Sequence, residues 1–122
     1  MTRSLLPESN IHTSIHKKIG GGHQSVVEEV IESLNEHPLL VVGMRQNPVC
    51  KAVKKKLDSE GIEFKYLEYG SYLSEWKPRL AIKIWSGWPT FPMVFINGNL
   101  VGGNYEVGKL IESGEFQILL SA

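Results

Sequence analysis

The run Leu39-Leu40-Val41-Val42-Gly43-Met44 constrains this chain more than any other stretch. A short unbroken apolar run is the signature of a strand buried on both faces, and such strands sit at the centre of a sheet covered by helices. Pro38 stands immediately before it, and Asn47-Pro48 follows soon after. An Asn cap with proline at the first helical position is a strongly favoured helix start. A buried strand leading into a capped helix is the first half of an α/β unit, so the expected class is α/β. At 122 residues the chain is one domain, long enough to bury a core without disulfides.

The remaining elements follow from periodicity and punctuation. Residues 1–22 mix Pro, Ser, Asn, Thr and Lys without sustained periodicity and end in Gly20-Gly21-Gly22, so they are expected to be a flexible leader before a domain over 23–122. Ser25 and Glu28 have the spacing of a capping box. Val26, Val27, Val30, Ile31 and Leu34 then recur at helical intervals, predicting a helix over 26–36 that Pro38 ends. The helix opened by Asn47 should run to about residue 60, with Val49, Val53 and Leu57 inward, Lys51, Lys54, Lys55 and Lys56 in water, and Gly61 at its end. Residues 62–68 alternate as a half-buried strand, and 69–72 form a loop. A third helix starts near Glu75, tolerates Pro78 only in its first turn, and carries Leu80, Ile84 and Trp85 inward.

Trp88-Pro89-Thr90-Phe91-Pro92 comes next, and then the apolar run Met93 to Ile96. Pro92 has no N–H, so it marks the first residue of a strand rather than its middle. An X–Pro bond is also where a cis peptide costs least, and a cis Pro92 would expose the backbone of Thr90 and Phe91 at the strand mouth to an extended peptide. Asn97-Gly98 between apolar runs signals a hairpin. Asn99-Leu100-Val101 returns, Gly102-Gly103 bends, a last helix covers 105–113, and an apolar turn from Phe116 to Leu120 docks back. The order α-β-α-β-α-β-β-α gives a four-stranded mixed sheet with helices on both faces and the first two strands parallel. A ligand is expected at the carboxyl ends of the parallel strands, around Met44–Pro48 and beside the loop into Pro92.

Charge and cysteine content narrow the partners. The 13 basic and 13 acidic residues balance, which argues against nucleic acid or an anionic membrane as the main partner. No apolar run approaches the roughly 18 residues of a membrane span, and the apolar part of the N-terminus is too short for a secretory signal. Cys50 is the single cysteine; it cannot form an internal disulfide and suits a reducing compartment, so a cytoplasmic location is expected. His12, His16, His23 and His37 have no acidic or thiol partner at metal-ligand spacing, and no metal site is expected.

A helix starting at proline after the first strand, and an X–Pro opening the third, resemble the thioredoxin fold. Trp88-Pro89-Thr90-Phe91-Pro92, Asn97-Gly98 and Gly102-Gly103 resemble the glutaredoxins more specifically, within them the monothiol (Cys-Gly-Phe-Ser type) class, over about residues 24–120. The resemblance implies a thioredoxin-like (glutaredoxin) fold and a glutathione-binding groove. It matches Arg79 and Lys83 to the basic pair that holds the glycyl carboxylate. Thr90 and Phe91, beside Pro92, match the backbone that pairs with the cysteinyl part, and Arg45 stands in for a family lysine. After Gly103 the family has Ser or Cys and then Asp for the γ-glutamyl end. Asn104 still offers hydrogen bonds, but Tyr105 replaces the Asp, a loss worth about 1.5–3 kcal/mol of binding.

The thiol departs from the pattern. The family nucleophile caps the helix, where the dipole depresses a cysteine pKa. Counted back from Gly61 that position is Asn47, and Cys50 falls three residues later, so Asn-Pro-Val-Cys reads as Cys-Pro-Tyr-Cys without its attacking residue. In a second register, Pro48-Val49-Cys50 is the Pro-x-Cys before the monothiol motif and the thiol takes the cap, leaving the helix about one turn short. Three functions are open. One is glutathione or thiol-partner binding with weak or altered thiol–disulfide exchange through Cys50. Another is a non-catalytic interaction module. The third is transfer of a [2Fe–2S] cluster, the usual role of the monothiol class, for which Asn47 supplies no thiolate.

Overall fold

The computed structural model describes residues 3–20, 23–71 and 74–122. Its elements run α1 (Gln24–Glu36), β1 (Leu39–Gly43), α2 (Pro48–Ser59), β2 (Lys65–Glu68), α3 (Trp76–Ser86), β3 (Met93–Ile96), β4 (Asn99–Gly102), α4 (Asn104–Ser113) and α5 (Glu115–Ser121). The four strands form one sheet in the order β2-β1-β3-β4. β1 is parallel to β2 and antiparallel to β3, and β3 pairs antiparallel with β4. All five residues of β1 are buried, as an apolar central strand requires.

Alternation along β1 sorts the core into two layers. Leu40 and Val42 pack with Met93 and Phe95 against Val30 of α1 and Ile82 of α3. Leu39 and Val41 pack with Val94 and Ile96 against Val53 and Leu57 of α2, Val107 of α4 and Phe116 of α5. Asn97, in the hairpin turn with φ +49°, donates from its side chain to Leu119 O at 2.9 Å and ties α5 down.

Several local expectations are corrected. α1 begins at Gln24 with His23 as its cap and no side-chain cap bond. Ser25 therefore lies inside the first turn, where its hydroxyl cannot cap the helix, and the Ser25–Glu28 box does not form. Val49 is 45% exposed and Ile84 is 37% exposed rather than inward; on α3 the core positions are Ala81 and Ile82. Lys54 and Lys56 are half-buried, not fully in water. β2 starts only at Lys65, because its parallel pairing with β1 begins at Leu40 opposite Lys65.

Residues 3–20 carry two short 3₁₀ turns, Glu8–Asn10 and Thr13–Lys18, and run beside α3. Lys77 Nζ donates to Lys17 O at 2.9 Å, and Arg3 donates to Ile84 O at 3.4 Å and Trp85 O at 3.2 Å. The expected Gly21-Gly22 hinge and Tyr72 of the expected loop lie outside the described residues.

Candidate functional site

Sheet register brings three segments together. Val42 at the end of β1 faces Met93 at the start of β3, so the loop leaving β1 and the loop entering β3 lie at the same edge. Val94 faces Gly102, which adds the β4–α4 junction. The approach there is close: a Cβ on Gly103 would fall 3.2 Å from Pro92 O and 3.6 Å from Trp88 Nε1.

The β1–α2 loop is set by its backbone. Arg45 N donates to Gly70 O at 2.6 Å and Tyr69 N donates to Gly43 O at 2.9 Å, while Gln46 takes a left-handed φ of +60°. Asn47 then caps α2, its Oδ1 accepting from Val49 N at 2.9 Å and Cys50 N at 3.0 Å. Pro48 follows at the first helical position, where a missing N–H costs no intrahelical bond. This geometry overturns the register that put the thiol on the cap: Cys50 is the third residue of α2. Arg45 remains exposed.

Cys50 is 1% exposed. Its Sγ faces back toward β1, since a Cβ on Gly43 would lie 3.0 Å from Cys50 Sγ and 2.4 Å from Tyr66 Oη. Burial pushes the thiol pKa up, and the Met44 backbone, the Tyr66 hydroxyl and Lys54 offset it only in part. Tyr66 is raised too, first by burial and then by Cys50. Its hydroxyl donates to Met44 O at 3.3 Å, and Lys54 Nζ stands 4.1 Å over its ring. Tyr66 escaped the sequence reading; the alternation of residues 62–68 puts it on an inward face, yet only the pairing of Val41 with Tyr66 brings it to the thiol.

The opposite wall comes from α3 and the loop after it. Arg79 and Lys83 are one turn apart, but they sit differently. Arg79 is buried, and its Nη1 donates to Tyr69 O at 3.0 Å and Ser74 O at 2.5 Å. Lys83 is half-buried, with Nζ 5.7 Å from the Phe91 ring centroid. The Phe91–Pro92 bond is cis. Phe91 is buried and Thr90 exposed, and among the described residues the Thr90 backbone has no hydrogen-bond partner.

Two buried polar atoms at the third segment, Trp88 Nε1 and Asn104 Oδ1, also have no partner among the described residues. They form a donor and an acceptor beside Gly103. Gly103 N donates to Glu106 Oε1 at 2.9 Å, and Tyr105 is 68% exposed. A separate surface concavity, lined by Pro38, Asp58, Gly61 and Lys65 among others, lies at the other end of the sheet and contains no thiol.

Comparison with known proteins agrees with this geometry. The glutaredoxin family pattern matches residues 40–101. A glutaredoxin-like protein of Dictyostelium discoideum is 45% identical over 101 residues, covering 83% of this chain and 82% of that protein. Monothiol glutaredoxin-4 of Schizosaccharomyces pombe is 32% identical over 88% of this chain, which spans only 46% of that relative. Among solved structures, the buckwheat glutaredoxin–glutathione complex superposes with a TM-score of 0.69 at 26% identity, covering 80% of this chain and 89% of that one. A buried strand, a capped helix, a cis-proline loop and a double glycine thus meet in a thioredoxin-like architecture, and the chain belongs to the glutaredoxin family of redox proteins.

Proposed function

We propose that this chain binds glutathione, or the cysteine-bearing loop of a thiol protein, in extended form along Thr90–Pro92. Cys50 acts in packing rather than as a nucleophile. The observation that carries the reading is the exposed Thr90 backbone, which has no hydrogen-bond partner among the described residues. Such an edge takes an added peptide by main-chain hydrogen bonds. Lys83, with Nζ 5.7 Å from the Phe91 ring centroid, supports it as a cation for a ligand carboxylate, and exposed Arg45 adds a second cation on the facing loop. Arg79 contributes only through guanidinium nitrogens other than Nη1, which already serves two carbonyls. Asn104 Oδ1, a buried acceptor without a partner among the described residues, suits the γ-glutamyl ammonium; Tyr105 brings no charge to it.

Thiol–disulfide exchange requires an accessible thiolate. Cys50 is 1% exposed, with its pKa raised by burial, and Asn47 holds the cap where a nucleophile would be activated. The same two residues fit an iron–sulfur cluster poorly, because Asn47 gives no thiolate and Cys50 Sγ lies behind Gly43 and Tyr66. Among the described residues no group of three or more His, Cys, Asp or Glu side chains could hold a metal ion.

Calorimetric titration with reduced glutathione tests the reading, beside reduction of a glutathione mixed disulfide. Saturable binding is expected, lost in Thr90→Pro, which removes the pairing N–H, and retained in Cys50→Ser. Turnover that disappears in Cys50→Ser would overturn the packing role. Absence of any heat or chemical-shift change at millimolar glutathione would overturn the binding role.

A further inference from the structure

The last four carbonyls of a helix have no intrahelical donor. At the end of α3, Gly87 N donates to Lys83 O at 2.7 Å, and the next two carbonyls, Ile84 O and Trp85 O, are taken by Arg3 from the far end of the chain. Its guanidinium lies against Gly87, where a Cβ would fall 2.3 Å from Nη1. Gly87 has φ +80°, so the turn there favours glycine twice over: for the backbone angle and for the room that Arg3 occupies.

That turn is one residue from the loop of the candidate site. Ser86 Oγ accepts from Trp88 N at 3.1 Å and lies 3.3 Å from Met93 Sδ. The Trp88 indole N–H in turn stands beside Gly103. A contiguous path therefore runs from Arg3 through the end of α3 and Ser86 to Trp88 and the double glycine. The leader is held along α3 at its other end as well, by Lys77 on Lys17 O and by Gly20 against Leu80.

We propose that Arg3 is a positioning residue for the Trp88–Pro92 loop: the leader is a brace on the C-terminus of α3 that sets where the peptide-pairing backbone begins. A cation at a helix C-terminus also complements the negative end of the dipole. The consequence for ligand affinity rests on the glutathione-binding reading; the consequence for the loop does not.

The test compares the wild-type chain with Arg3→Ala, Arg3→Lys and, as a leader control, His12→Ala, whose ring bonds its neighbour Ser14. Amide exchange at Trp88, whose N–H is held by Ser86 Oγ, the Trp88 indole cross-peak and glutathione affinity by calorimetry are measured in each. Arg3→Ala should speed exchange at the Trp88 amide by roughly two- to five-fold, the scale of one charge at a helix end. It should also move the indole cross-peak and weaken glutathione by a similar factor. Arg3→Lys should recover part of this, since an ammonium keeps the charge but not the fork that meets two carbonyls. His12→Ala should match wild type. The proposal is overturned if Arg3→Ala leaves exchange and indole as in wild type, or if exchange rises equally throughout the chain. Wild type that fails to bind glutathione would overturn the binding reading alone, with exchange and the indole still deciding the role of Arg3.

Discussion

Asn47 Oδ1 accepts the amide of Cys50 at 3.0 Å, so the residue on the helix cap is bonded directly to the residue that carries the thiol, two positions inside the helix start. Replacing Asn47 by Ala should cost about 0.5–2 kcal/mol of stability, the usual worth of a cap, whereas Asn47→Asp should keep it. Urea denaturation of both variants checks this, and equal stability of Asn47→Ala and wild type would contradict it.

The cap itself remains electropositive. Asn47→Cys in a Cys50→Ser background should yield a thiol that iodoacetamide labels rapidly near neutral pH, with an apparent pKa below the free value of about 8.5. Native wild type should label slowly and become reactive only on unfolding. Rapid labelling of native Cys50 would contradict its burial.

Folding raises the Cys50 pKa, so the native state holds that proton more tightly than the unfolded chain. The resulting stability is complete below the unfolded pKa of about 8.5 and is lost as pH rises through the native value. Tyr66 and Tyr69 are raised as well and act in the same direction above about pH 10. Melting temperature should therefore fall from about pH 8.5 upward in wild type, and only from about pH 10 in Cys50→Ser. Parallel curves across pH 7–11 would show that Cys50 makes no such contribution.

Arg79 and Lys83 should separate fold from binding. Arg79→Ala removes the donor for the buried Tyr69 carbonyl, which should cost about 1–3 kcal/mol of stability. Lys83→Ala, at a half-buried position whose side chain makes no hydrogen bond among the described residues, should cost less stability than Arg79→Ala while weakening glutathione. Denaturation and calorimetry on the same samples decide; the reverse pattern would reassign the two residues.

Phe116 is 1% exposed and anchors α5 in the second core layer. Phe116→Ala should destabilise the chain by about 3–5 kcal/mol, read as a lower denaturation midpoint. A loss below about 1 kcal/mol would mean that α5 is not docked in solution.

Local chemistry made much of this protein legible before any coordinates. The unbroken run 39–44, the Asn47-Pro48 start, Pro92 before an apolar run and the Asn97-Gly98 turn each fix backbone geometry within a few residues, so the element order, the start of α2 and the site's three segments could be placed. Side-chain fate was another matter. Val49 and Ile84 look like core residues by spacing yet meet solvent, Arg79 looks like a surface cation yet staples a loop, and Cys50 is buried where Tyr66 and Gly43 meet. Arg3 reaches a helix end more than eighty positions away. Burial and hydrogen bonding between distant segments arise from packing across the sheet, and periodicity along a single segment carries no record of what will lie against it.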